Sequence, residues 1–275
     1  MKREKALLYQ KLIGIKIFLG ELIMSENKFM KKYDVLYYDS DVNKNIRMVP
    51  LMKIFGDVSA IHEEELAYEG IKYLKDHELS WIIYSYSIDI KKPIPYKSSI
   101  NVETYLEGIK KFYACRVYKV YNEKNELVAE GKIIFLLIDL EKRRAVRIPK
   151  EYCELINMSD TGEVELKSTK VEKLIREDLE SNISVRRSDI DFNKHVNNTK
   201  YLEWTMEATP ECILDEYSLI SAKIKYEKEV RLGDDVNIIC QWDEIEEGYK
   251  CLYKIVNNRL GEVSASIETI WKKEF

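Results

Sequence analysis

The chain repeats itself, and that repeat limits what it can fold into. A strand-like run at 33–38 precedes a stretch at 49–68 with Leu51, Ile54, Phe55, Val58 and Ile61 at helical spacing. Strand-like runs follow at 81–90, 100–106, 113–121 and 127–140. The same order returns as a strand at 183–187, a helix at 196–208 and strands at 219–230, 236–242, 249–256 and 263–271. The copies match in residues too. Ser40-Asp41-Val42-Asn43 pairs with Ser188-Asp189-Ile190-Asp191, and Ile100-Asn101-Val102 with Val236-Asn237-Ile238. Two copies are too few for a solenoid. They describe two α+β units, each a helix and a curved antiparallel sheet burying each other's apolar faces. Joining the two sheets edge to edge would cover exposed strand edges. The expected organisation is an N-terminal extension at 1–30, a first unit at 31–150, a charge-rich connector with some helix at 151–180, and a second unit at 181–275.

Within the extension, 12–24 is apolar but interrupted by Lys16 and Glu21. It is too short to span a membrane. Its basic start is not followed by a small-residue cleavage site, so it reads as an amphipathic helix rather than a signal peptide. Clean strand patterning begins at Lys31, which suggests translation starting at Met24 or Met30. A net charge of −4 gives no footprint for nucleic acid. Cys115, Cys153, Cys212, Cys240 and Cys251 form no C-x-x-C pair and suit no zinc site. Their odd number and wide scatter fit reduced thiols in a reducing, cytoplasmic setting.

The chemistry-bearing residues concentrate in Asp-Ile-Asp-Phe-Asn-Lys-His-Val-Asn-Asn-Thr-Lys-Tyr-Leu-Glu-Trp at 189–204, where a strand gives way to the second long helix. If the segment is extended, Asp191, Asn193 and His195 alternate and project to one side. The unpaired N–H groups of the helix start add a positive field for a developing oxyanion. Carboxylate, amide, imidazole and helix start together could hydrolyse an ester or thioester without a metal or cofactor. Taken singly, each residue also reads as a helix cap, a structural histidine or a solvated charge. The other two histidines, His62 and His77, lack such polar company in sequence and read as structural or solvated.

The segment Asp191-Phe192-Asn193-Lys194-His195-Val196-Asn197-Asn198-Thr199-Lys200-Tyr201 resembles the signature of acyl-acyl-carrier-protein thioesterases, a bacterial and plant family with a tandem hot-dog fold. The resemblance runs from about Lys31 onward and includes 136–141 with Arg143, and Tyr226-Glu227-Lys228-Glu229-Val230. It implies a double hot-dog architecture and a catalytic network of Asp191, Asn193, His195 and Glu229. Where the family often has Cys after the glutamate, this chain has Val230. A cysteine nucleophile there is therefore excluded, leaving an activated water or a transient acyl-carboxylate, with water favoured.

Matching Ser40 to Ser188 sets Asn43, Asn45 and Arg47 opposite Asp191, Asn193 and His195, with Pro93 near the position of Glu229. The first unit is thus expected to hold the acyl chain and not to cleave it. Met48, Met52, Phe55 and Trp81 are the candidate chain-binding residues, with core packing as the alternative for each. The resemblance implies acyl-loaded acyl carrier protein as partner. Cations for docking it would come from Arg143, Arg144, Arg147 and Lys150, or from Lys170, Lys173, Arg176, Arg186, Arg187 and Lys194. The unit would work as a monomer or homodimer. The rival readings are a coenzyme A thioesterase of the same superfamily, a non-catalytic acyl-binding module, and a papain-like cysteine hydrolase, which no cysteine beside the histidine motif supports.

Overall fold

The computed structural model describes residues 28–66, 68–158 and 170–273. The expectations for the N-terminal extension therefore fall largely outside the described residues. The first strand, β1 (Phe29–Asp34), begins two residues before Lys31, and Phe29 is buried. The stretch expected to complete this strand turns instead into a 3-10 helix at Tyr37–Asp39.

The first half continues as α1 (Met48–Leu66), α2 (Tyr68–Asp76), β2 (Leu79–Ile90), β3 (Ser99–Lys110), β4 (Tyr113–Tyr121), β5 (Leu127–Asp139) and the two-residue β6 (Arg144–Ala145). A short helix, α3 (Lys150–Leu155), lies in the connector. The second half comprises β7 (Leu179–Ser184), α4 (Asn198–Thr205), α5 (Glu211–Glu216), β8 (Ser218–Tyr226), β9 (Asp235–Ile245), β10 (Gly248–Asn257) and β11 (Glu262–Lys272).

Among the described residues the strands form one antiparallel sheet in the order β1-β3-β4-β5-β2-β8-β11-β10-β9-β7, with β6 on β5. Read outward from the middle, the two halves have the same strand sequence. The seam is the pairing of β2 with β8, from Ser85 opposite Lys225 to Asp89 opposite Ser221. Period-two alternation puts Tyr86, Ile88, Ala222 and Ile224 on the buried face of this seam. On the other face Ser221 donates to the Asp89 carboxylate at 2.6 Å.

Helix α1 fits the concave face because Leu51, Met52, Phe55 and Val58 form one stripe, all at most 2% exposed. Pro50 lies in its first turn, where no intrahelical N–H is lost. The Phe55 ring stacks on Tyr118 at 4.4 Å and 4°. Gly131, opposite Tyr118 in register, makes that contact possible, since a Cβ there would lie 2.5 Å from the Phe55 ring. The hydroxyls of Ser59 and Tyr118 are hydrogen-bonded, and those of Thr209 and Tyr253 repeat the arrangement in the second half. The duplication thus extends to buried polar groups.

Candidate active site

The motif at 189–198 is a tight turn, not the extended segment expected. The Asp191 amide donates to the His195 carbonyl at 2.9 Å, and the Lys194 amide donates to the Asp191 carbonyl at 3.0 Å. Lys194 takes a φ of 66°, the left-handed conformation that closes the turn. The Asp191 carboxylate accepts the Asn193 amide at 2.8 Å. These bonds bend the chain locally, so the anticipated alternation of side chains does not apply.

Around the turn the segment is pinned on several sides. Asp189 is buried and accepts the Arg186 amide at 2.8 Å, while its carbonyl accepts the Asn197 amide at 2.8 Å. The Asn197 side chain then caps α4, accepting the Thr199 amide at 3.0 Å. His195 is therefore held just before the positive end of a capped helix.

Glu229 is on the loop after β8, which ends at Tyr226, and not within a strand reaching 230. The loop is fastened to the motif by one backbone bond, from the Val196 amide to the Val230 carbonyl at 2.9 Å. The Val230 amide in turn donates to the Tyr201 hydroxyl at 3.2 Å, and the Tyr226 hydroxyl donates to the Asn198 carbonyl at 2.8 Å. Burial pushes the Tyr201 hydroxyl pKa upward, and nearby Glu229 adds to the effect, so it stays protonated. Tyr201 belongs to the sequence motif, but its role as an anchor for the glutamate loop is not legible there.

The outcome is that His195 Nε2 lies 3.3 Å from Glu229 Oε2, with side chains 34% and 44% exposed. Water can reach the pair. Arg231 Nη2 touches the same carboxylate oxygen at 3.2 Å. Asp191 acts on the turn through its backbone contacts, and Asn193 presents an exposed side chain beside it. The structure thus joins His195 to Glu229 directly, and groups Asp191 and Asn193 with them through the turn.

The hydrogen bonds also correct the alignment of the two halves. In the first half the Asp41 amide donates to the Asn45 carbonyl at 2.8 Å, Lys44 has φ 62°, and the Ile46 amide donates to the Ile94 carbonyl at 2.9 Å. These are the counterparts of Asp191, Lys194 and Val196. Asp41-Val42-Asn43-Lys44-Asn45-Ile46 therefore matches Asp191-Phe192-Asn193-Lys194-His195-Val196, an offset of 150 and not 148. The Ser-Asp pairs at 40 and 188 are a coincidence two residues out of register. The first half keeps the aspartate, asparagine and left-handed lysine. It replaces the histidine with Asn45 and the glutamate with Pro93, the residue before Ile94.

The four candidate chain-binding residues separate. Met48, Met52 and Phe55 are in the main core. Met48 also lines a cavity of about 390 Å³ beside the first-half turn, shared with Asp41, Asn43, Leu202 and Met206. Trp81 lines a second cavity of about 250 Å³ with Leu106, Ile109, Phe135 and Met158. Neither cavity includes His195 or Glu229, but the second lies at the catalytic end of the seam. Pairing of Ser85 with Lys225 leaves the first part of β2, with Trp81, running past the end of β8 from which the Glu229 loop departs. His62, read from the sequence as structural or solvated, is structural: it is buried and accepts a hydrogen bond from Arg116.

Comparison with known proteins bears on both halves. Residues 26–156 match the family described as acyl-ACP thioesterase N-terminal domain, and 172–273 match the acyl-ACP thioesterase C-terminal domain. The chain is 20% identical over 237 residues to the chloroplastic acyl-[acyl-carrier-protein] hydrolase FATB3 of Cuphea viscosissima, covering 82% of this chain and 58% of that protein. It is 20% identical over 269 residues to the chloroplastic oleoyl-acyl carrier protein thioesterase of Coriandrum sativum, covering 92% and 72%. Its fold is that of the 12:0-ACP thioesterase from Umbellularia californica, with TM-score 0.80 at 18% identity over 90% of this chain and 94% of that one. It is also that of a putative oleoyl thioesterase from Lactobacillus plantarum, with TM-score 0.81 at 20% identity over 90% and 95%.

Proposed function

This chain belongs to the acyl-ACP thioesterase family, and on that premise we propose that it hydrolyses fatty acyl-acyl carrier protein to free fatty acid and carrier thiol. The observation that carries the reading is the 3.3 Å contact of His195 with Glu229, held by the backbone bond between the residues that follow them. Glu229 and the imidazole together take a proton from water as it attacks the thioester carbonyl carbon. The tetrahedral intermediate collapses, the carbon–sulfur bond breaks, and the imidazole returns the proton to the leaving sulfur. Asn193 is the donor we assign to the carbonyl oxygen, and Asp191 keeps the turn in shape. Val230 is fully buried, and its side chain has no nucleophilic atom.

The acyl chain is assigned to the cavity lined by Trp81 in the first half. The partner would dock on exposed cations flanking the pair, of which Arg186, Arg187 and Lys194 are the nearest in sequence. Arg176 is a weaker candidate because it pairs with Asp178 and Asp243. Buried thiols at Cys115, Cys240 and Cys251 support a reducing, cytoplasmic setting. The internal seam supports a single chain, alone or as a homodimer, as the working unit.

The test is release of acid from a ladder of acyl chains, each carried in parallel by acyl carrier protein and by coenzyme A. Turnover of the carrier-protein series that is faster and salt-sensitive, and lost in His195→Ala, is expected. Equal or faster turnover of the coenzyme A series would move the chain to that substrate class. No turnover of either would leave an acyl-binding module.

A further inference from the structure

The turn that has lost its imidazole and carboxylate still borders the cavity of about 390 Å³. On one side stand Asp41, Asn43 and Arg47 of that turn, with Lys53 of α1. Opposite them the second half supplies an apolar wall that includes Leu202, Met206 and Leu219. The volume falls within the range of small-molecule sites, about 300–1,000 Å³.

The offset of 150 shows what the silent copy has gained. Arg47 stands where Asn197 caps α4, and Lys53 stands where the second half has Glu203. A guanidinium has donors only, so Arg47 cannot accept a helix amide as Asn197 does. Both cations are exposed, and Lys53 makes no ion pair among the described residues. The acids on the wall are engaged. Glu203 meets Lys200 at 2.8 Å, and the Asp41 carboxylate accepts the Asn45 amide at 2.9 Å. The rim has changed in the opposite sense. In place of Arg186, Arg187 and Ser188 it carries Leu36, Tyr37 and Tyr38, at 57%, 71% and 82% exposure. It therefore lacks the cations that flank the catalytic turn and offers apolar surface instead.

We propose that this cavity is a second ligand site, for a free aliphatic carboxylate whose head meets Arg47 and Lys53 and whose chain lies along Leu202, Met206 and Leu219. The acid that a thioesterase releases is of this class, but the site does not depend on that reading. A carrier-bound acyl group fits less well. It has no carboxylate for the two cations, and its acidic carrier would meet an apolar rim.

Methionine methyl resonances distinguish the two cavities, because Met206 lines this one and Met158 lines that of Trp81. The protein, with labelled methionine methyls assigned through Met206→Leu, is titrated with octanoate, octanamide and acetate. The Met206 methyl should shift saturably with octanoate, at an affinity about fivefold above that for octanamide; the gain is modest because both cations are exposed. Acetate has no chain to bury and should bind far more weakly. Lys53→Gln should remove most of the preference for the acid over the amide, and Lys53→Glu should reverse it. Binding should be unchanged in His195→Ala. The readout needs no turnover, so a chain that hydrolyses nothing can still show the site. Equal affinity for octanoate and octanamide, acetate binding as tightly as octanoate, a preference surviving Lys53→Glu, or octanoate shifting Met158 without Met206 each overturns the proposal.

Discussion

The amide of Val196 donates to the carbonyl of Val230 at 2.9 Å, and this bond sets the imidazole before one residue against the carboxylate before the other. The pair is assembled by backbone, so its side chains can be changed without dismantling the turn.

His195→Ala and Glu229→Gln should each lower kcat by about 10²- to 10⁴-fold, the usual contribution of a positioned acid or base. The double variant should lose little more than the worse single one, because the two act as a unit. Single-turnover rates on one acyl-carrier substrate, with melting temperatures as control, check this.

Tyr201→Phe removes the oxygen that accepts the Val230 amide at 3.2 Å. The orphaned buried N–H should cost about 1–3 kcal/mol in denaturant unfolding. The loop carrying Glu229 loses an anchor, so kcat should fall with KM little changed. A variant with full kcat would show that the backbone bond alone sets the pair.

Gly131→Ala brings a methyl to within 2.5 Å of the Phe55 ring. Overpacking of this kind should cost about 1–3 kcal/mol. Adding Phe55→Leu should recover part of the loss, because the second change removes the ring that the methyl meets. A double variant no more stable than the single one would place the strain elsewhere.

His62 is held neutral in the fold with its pKa near 4, below its ordinary value of 6.5. Between these values the unfolded chain binds more protons than the folded one. Stability from this group is therefore complete above about pH 6.5 and is lost as pH falls toward 4, by roughly 3 kcal/mol over the full interval. His62→Phe should flatten that part of the stability profile. Urea unfolding at several pH values, with and without the substitution, is the check.

Much of this fold could be read from spacing alone. The stripe of Leu51, Phe55 and Val58 marks a helix on a core, and β4 runs from Tyr113 to Tyr121 as alternation and aromatic content indicate. The motif identified the site because His195 is one of only three histidines and stands among Asp191, Asn193 and Asn197. Three features stayed hidden, each for a physical reason. The turn at Asp191–His195 depends on a lysine in a left-handed conformation, which a sequence rarely announces. The glutamate loop depends on a tertiary bond to Val196, and the end of β8 at Tyr226 is invisible in a run of charges. The polar partner of His62 comes from β4, 54 residues away.

The β2–β8 seam has a consequence for how such a protein can change. In an assembly of two identical chains every substitution is inherited by both copies of a site. A proline at position 93 would then strip the carboxylate from each. Here the copies are encoded separately, and one could surrender its acid and its imidazole while the other kept both. Covalent fusion thus frees the silent copy to diverge at no expense to turnover.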